Sequence, residues 1–99
     1  MYVQILTIHP REGKLEEIHE LYRDYLVPEI RQQEGYRGFY LIPRPAHGQL
    51  LAVTMWKDRA AAEGAEEQNL LLEQRAGYPL YASAPEKEGL DVLYFNTLA

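Results

Sequence analysis

The sequence has no cysteine, one tryptophan, one serine and three histidines among its 99 residues. Without cysteine there is no disulfide, no thiolate nucleophile and no sulfur ligand for a metal. Ser83, the sole serine, has no Gly-x-Ser-x-Gly around it, so the strained turn of a serine hydrolase is absent. No two of His9, His19 and His47 are three or four residues apart, and no His-Glu-x-x-His occurs, so no metal is expected. The glycines form neither a dinucleotide fingerprint nor a phosphate loop; Gly35 and Gly38 alone are too few. No apolar run approaches the ~20 residues of a membrane span. The net charge of −5 opposes duplex nucleic acid and anionic membrane surfaces, which both call for a basic patch. Residues 1–8 lack a basic leader and a cleavage-site pattern, so they are read as something other than a signal peptide, and a cytoplasmic setting is expected.

The length fits one domain spanning 1–99. A chain this short buries a limited share of its surface, so a bare apolar face would favour a partner subunit. Tyrosine is plentiful, at eight residues. Rings with a polar tip suit an interface or an aromatic-lined cavity, and equally suit core edges where the hydroxyl reaches water.

Tyr2 to Ile8 reads as a strand, rich in β-branched and aromatic residues. Leu15, Ile18, Leu21, Tyr22, Tyr25 and Leu26 then share one helical arc, with Glu16, Glu17, Glu20, Arg23 and Asp24 opposite. Pro28 either kinks this helix or begins a second short one through Gln33, and Gly35 is the stop. Tyr36 to Ile42 and Gln49 to Trp56 form an antiparallel hairpin around the turn formers Pro43 to Gly48. Asp58 is the N-cap of a second helix, Arg59 to about Gln74, with Gly64 inside it. Ala76 to Gly89 reads as loop, and Leu90 to Asn96 as the last strand.

The order β-α-β-β-α-β gives an α+β, ferredoxin-like domain with a four-stranded antiparallel sheet. One helix from each half covers the same sheet face. The other face also reads as apolar: Leu51, Val53 and Met55 alternate with Leu50, Ala52, Thr54 and Trp56. A sheet with two dry faces is expected to pack on a second copy, most simply as a two-fold homodimer.

The run Met55-Trp56-Lys57-Asp58-Arg59-Ala60-Ala61-Ala62 carries an apolar strand through the tryptophan into a capped, Ala-rich helix. With the step Glu34-Gly35-Tyr36-Arg37-Gly38-Phe39 and the aliphatic first strand, it resembles the antibiotic-biosynthesis-monooxygenase-like group of dimeric α+β barrels. The likeness covers most of residues 2 to 96. It implies a dimer whose two sheets form one barrel, and a pocket in each subunit between sheet and helices. Some members oxidise electron-rich phenols or quinols without metal or flavin; some degrade haem; many have no assigned activity. In the cofactor-free type the deprotonated substrate itself reduces dioxygen, and the protein supplies a dry, oriented pocket. Trp56 matches the family tryptophan near such pockets. Haem-degrading members carry a first-strand asparagine, for which Gln4 is the nearest amide here. They also carry a histidine on the second helix where this chain has Glu66, and no histidine follows His47. The resemblance therefore implies no cofactor and speaks against haem degradation.

Trp56, Tyr22, Tyr40 and Gln4 are the expected pocket residues for a small aromatic or polyketide-like ligand, with His19 or His47 as base. Each has a plainer role: Trp56 as a core anchor, His47 as a solvated loop residue, His19 as a boundary residue on the first helix. Tyr36 and Tyr40 share a strand face by alternation, and the sequence leaves open whether it is the helix-covered face or the dimer seam. Glu16, Glu17 and Glu20 read as a solvated helix face, as do Glu63 and Glu67, whereas Glu66 could turn inward. The leading expectation is a cofactor-independent monooxygenase. The alternative is a non-catalytic, small-molecule-binding or stress-associated dimer.

Overall fold

The computed structural model describes residues 1–97. β1 is Tyr2–Ile8. The helical segment after it runs as α1, Leu15–Leu21, a π-helical turn, Tyr22–Leu26, and α2, Val27–Ile30. The hairpin strands are β2, Tyr36–Arg44, and β3, Gln49–Trp56. α3, Arg59–Leu72, runs into a second π-helical turn, Glu73–Gly77, and a 3-10 turn, Tyr78–Leu80. β4 is Glu86–Asp91. The sheet order is β2-β3-β1-β4 and every pairing is antiparallel. This is the expected α+β, β-α-β-β-α-β arrangement. Among the described residues no helix is long and apolar enough to cross a membrane.

Both helical segments widen at the same relative place. Val27 N–H bonds to the carbonyl of Tyr22, and Tyr78 N–H to that of Glu73, each five residues back. A proline follows at once in both, Pro28 and Pro79. A proline ring in a regular helix collides with the carbonyl four residues behind it; a π turn moves that carbonyl aside. Pro28 therefore neither breaks the helix nor bends it alone. It sits in the first turn of α2, behind a turn that has taken in one extra residue. The same turn leaves Tyr25 at the edge of the apolar arc and 44% exposed, although the sequence pattern places it inside.

The core lies between the helices and one sheet face. Ile8, Ile18, Tyr22, Leu26, Leu50 and Trp56 are its largest fully buried side chains. Asp58 caps α3 as expected, its carboxylate accepting from Ala61 N–H at 2.9 Å. Gly35 takes a left-handed φ of +86°, and a Cβ there would collide with the Ala61 Cβ. The turn between α2 and β2 thus rests directly on the first turn of α3.

The last strand differs from its sequence reading. It begins at Glu86 rather than Leu90 and ends at Asp91, while Leu93, Tyr94 and Phe95 lie beyond it, 101%, 80% and 50% exposed. An edge strand is hydrogen-bonded on one side only and tolerates charge, so Glu86, Lys87 and Glu88 serve where an apolar run was sought. Residues 76–80, read as loop, continue the helical path instead. Nor do Tyr36 and Tyr40 share a face. Tyr36 pairs with Trp56 and Gly38 with Met55, so β2 carries a bulge between them. The extra residue reverses the alternation. Tyr36 faces the helices, in edge contact with Trp56 (centroids 6.3 Å apart, planes at 88°), and Tyr40 faces the open side.

Candidate functional site

A cavity of about 70 Å³ lies between the sheet and the helical layer. Its floor follows from strand register. Phe39, Thr54 and Gln4 form one cross-strand row that ends on Gly89, and Ala52, Leu6 and Lys87 sit in the next row. Ala52 and Thr54 have short side chains, so the helices cannot close fully on the sheet at this point, whereas the space beside Gly89 is taken by the Tyr2 phenol. The opposite wall is Tyr22 and Leu26 from the first π turn, Asn69 and Leu72 from α3, and Glu73 from the second π turn. Glu66, Leu70 and Lys87 stand at the rim, where Glu66 pairs with Lys87 across the gap between α3 and β4.

The polar centre of this cavity is Glu73, only 9% exposed. Tyr22 donates its hydroxyl to Oε1 of Glu73. Tyr81 donates to Oε2 at 2.5 Å, and the two phenol oxygens are 3.5 Å apart. The fold makes room for this contact at Gly77, where a Cβ would collide with the Tyr81 hydroxyl and lie 2.6 Å from Glu73 Oε2. Burial raises the Glu73 pKa above the usual glutamate range; the two phenol hydrogen bonds oppose that shift without cancelling it. Burial and the neighbouring carboxylate push both Tyr22 and Tyr81 well above the ordinary tyrosine value, so both phenols stay neutral donors. The Tyr22 ring stacks on Phe39 with centroids 5.2 Å apart and planes at 18°. Gln33 donates to Asn69 Oδ1 at 2.7 Å, which orients the Asn69 amide at the cavity wall. The result is a slot with an aromatic side, an amide and hydroxyl floor and one shielded carboxylate.

Of the residues singled out from sequence, Tyr22 and Gln4 line this cavity, and the other four lie elsewhere. Trp56 is fully buried at the end of β3 within the core cluster, and its indole N–H has no hydrogen-bond partner. Tyr40 is 54% exposed on the open sheet face. His19 is exposed on α1, 3.3 Å from Glu16. His47 ends the exposed turn between β2 and β3. Glu66 does reach the rim of the cavity, through its pair with Lys87.

Sequence reasoning missed Glu73, Tyr81, Phe39 and Asn69. A signal for two of them was present. At ~100° per residue, Glu66, Asn69 and Glu73 share an arc of roughly 100° with the buried Ala62 and Ala65. Polar residues centred on the apolar face of a helix are candidates for a lined cavity. Tyr81 had no such signal, because its place depends on the π turn and on Gly77.

Among the described residues no group of three or more His, Asp or Glu side chains could hold a metal. The cavity lining contains no histidine.

A family model described as antibiotic biosynthesis monooxygenase matches residues 1–70. No curated protein matches the chain. Among solved structures, a point mutant of MhuD with two manganese protoporphyrin IX molecules bound per active site superposes with a TM-score of 0.79 at 18% identity, covering 98% of this chain and 99% of that one. A candidate antibiotic biosynthesis monooxygenase from Nitrosomonas europaea gives 0.75 at 21% identity, over 95% and 100%. Rv0793 from Mycobacterium tuberculosis gives 0.75 at 18% identity, over 97% and 98%. These likenesses concern the fold.

Proposed function

The chain belongs to the antibiotic biosynthesis monooxygenase family, and from that premise we propose that it is a homodimeric, cofactor-independent monooxygenase of a small hydroxyaromatic or polyketide-like compound. The observation that carries this reading is the slot itself: the stacked Tyr22 and Phe39 on one side, Gln4 and Thr54 on the floor, and the buried Glu73 at its end. Aromatic walls with a few directed polar groups suit a flat ligand bearing one or two oxygens. An apolar cavity of about 150 Å³ takes a benzene ring. At about 70 Å³ this one receives the oxygen-bearing edge of a ring, with the rest lying across the rim at Leu70 and Lys87.

The chemistry needs little from the protein beyond position and charge. Removing a proton from the ligand leaves an electron-rich anion. That anion delivers electrons to dioxygen, and for a ring methylene one oxygen atom stays on carbon as a carbonyl. The other leaves as water with the two hydrogens. Gln4 and Thr54 would orient the ligand oxygen, and excluding water would protect the anion.

The homodimer is supported by the open sheet face. Val3, Ile5, Leu51, Val53 and Met55 are half-buried there, flanked by exposed Tyr40, Ile42 and Leu90. A cytoplasmic setting agrees with the absence of cysteine. Oxygen consumption with anthrone-type and quinol substrates tests the reading. Turnover coupled to one oxygen per substrate supports it. Binding without oxygen uptake would replace it with the small-molecule-binding dimer.

A further inference from the structure

We propose that Glu73 is the proton acceptor of this cavity, taking the proton from a hydroxyaromatic ligand whose oxygen enters between the Tyr22–Phe39 stack and the Gln4–Thr54 row. This deepens the oxygenase reading and rests on it for the location of the ligand. Glu73 lies beyond residues 1–70, the segment that matches the family, so the assignment comes from the geometry of this chain.

Elimination and arrangement both lead to Glu73. A base must lie within hydrogen-bond reach of the proton it takes. Among the described residues that line the cavity, the titratable groups are Tyr22, Glu66, Glu73, Tyr78 and Lys87. Glu66 and Lys87 neutralise each other at the rim. Tyr22, like Tyr81 behind it, donates a hydrogen bond to Glu73 and keeps its proton. Tyr78 packs its ring against Tyr81 (centroids 5.9 Å) and makes no hydrogen bond to Glu73 among the described residues. His19 and His47 are exposed elsewhere. Glu73 alone combines location with a free lone pair on each oxygen: each accepts one phenol, and a carboxylate oxygen accepts two donors.

The step balances without a co-reactant. The O–H bond of the ligand breaks, an O–H bond forms on Glu73, and the electron pair stays on the ligand oxygen. Burial raises the proton affinity of Glu73 above that of a solvated glutamate, and a more basic carboxylate is the better acceptor. The resulting anion sits beside two phenol donors. Tyr22 can turn its hydroxyl from the neutralised carboxyl toward that new charge, as an oxyanion donor would.

The test uses para-nitrophenol, whose phenol and phenolate differ in colour, with the full chain and with Glu73→Gln, Tyr81→Phe and the exposed control Glu67→Gln. Bound to the wild-type protein, the probe should show its phenolate band at a pH where free probe is still protonated. Glu73→Gln should bind the probe within about threefold of wild type while losing that band. Glu67→Gln should match wild type. Should Glu73→Gln fail to fold, Tyr81→Phe carries the test: it removes one hydrogen bond that stabilises the carboxylate, makes Glu73 the stronger base, and should move the midpoint of the band to lower pH. An unchanged band in Glu73→Gln, an unmoved midpoint in Tyr81→Phe, or no binding to wild type would overturn the proposal. Oxygen uptake is measured separately. A probe deprotonated by Glu73 with no turnover of any quinol would sink the oxygenase reading and leave the proton acceptor standing. Full turnover in Glu73→Gln would do the reverse.

Discussion

Tyr22 and Glu73 each open a π-helical turn, and the hydroxyl of the first donates to the carboxylate of the second. The two residues stand at equivalent places in the two β-α-β halves, each six residues before a proline. The wide turns that accommodate Pro28 and Pro79 are thus the turns that aim polar side chains into the space between helices and sheet. This ties a local backbone irregularity to the only buried carboxylate among the described residues.

The burial of Glu73 makes stability depend on pH in a definite direction. Glu73 binds its proton more tightly in the folded chain than in the unfolded one. Its contribution is therefore fully present below the ordinary glutamate range and is lost as pH rises through its own raised value. Urea midpoints of wild type relative to Glu73→Gln should decline across that window and then level off. Parallel curves for the two proteins would show that the carboxyl is not shifted.

Gly35 should resist substitution. Gly35→Ala combines a left-handed backbone with a Cβ that overlaps that of Ala61. The expected loss is about 1–3 kcal/mol. Ala61→Gly in the same chain should recover the steric part and leave the backbone part. If the double variant is no more stable than Gly35→Ala, the contact with α3 is not the cause.

Trp56 should behave as a core anchor with an idle donor. Trp56→Ala should cost about 3–5 kcal/mol. Trp56→Phe should cost less than half of that, because the indole N–H it removes has no partner. Both can be read from urea unfolding followed by circular dichroism. A Phe variant as damaged as the Ala variant would mean that the N–H is engaged in solution, for instance by an ordered water.

The open sheet face should hold the dimer. Light scattering should give twice the 11.5 kDa chain mass for wild type, and Val53→Asp should shift the population to monomer. Val53 lies in the middle of β3 between Ile5 and Tyr40, so a charge there meets apolar neighbours on both sides. A wild-type monomer at micromolar concentration would remove the homodimer from the account.

The order of elements along the chain and the cap at Asp58 were legible because each follows from local pattern: alternation, a helical arc, a carboxylate before an Ala-rich run. The last strand was not, since β4 is an edge strand held by backbone bonds to β1 and carries charges where alternation looks for apolar residues. The side of the sheet on which Tyr36 and Tyr40 stand turned on one extra residue near Gly38, and a bulge leaves no mark in hydrophobic pattern. Tyr22 was found because it lies on the apolar arc of the first helix, and Gln4 because the family resemblance drew attention to an amide on the first strand. Glu73 was passed over because an acidic residue in a helix reads as solvated until the whole arc is laid out. Tyr81 joins it only through tertiary geometry at Gly77.

The most direct test is a crystal structure of the protein soaked with para-nitrophenol. The ring should lie against Phe39 and Tyr22 with its hydroxyl oxygen within hydrogen-bond distance of a Glu73 carboxylate oxygen. A ring found instead in the open groove between Gly35 and Gly64, beside Lys57 and Asp58, with the Glu73 cavity unchanged, would contradict the account.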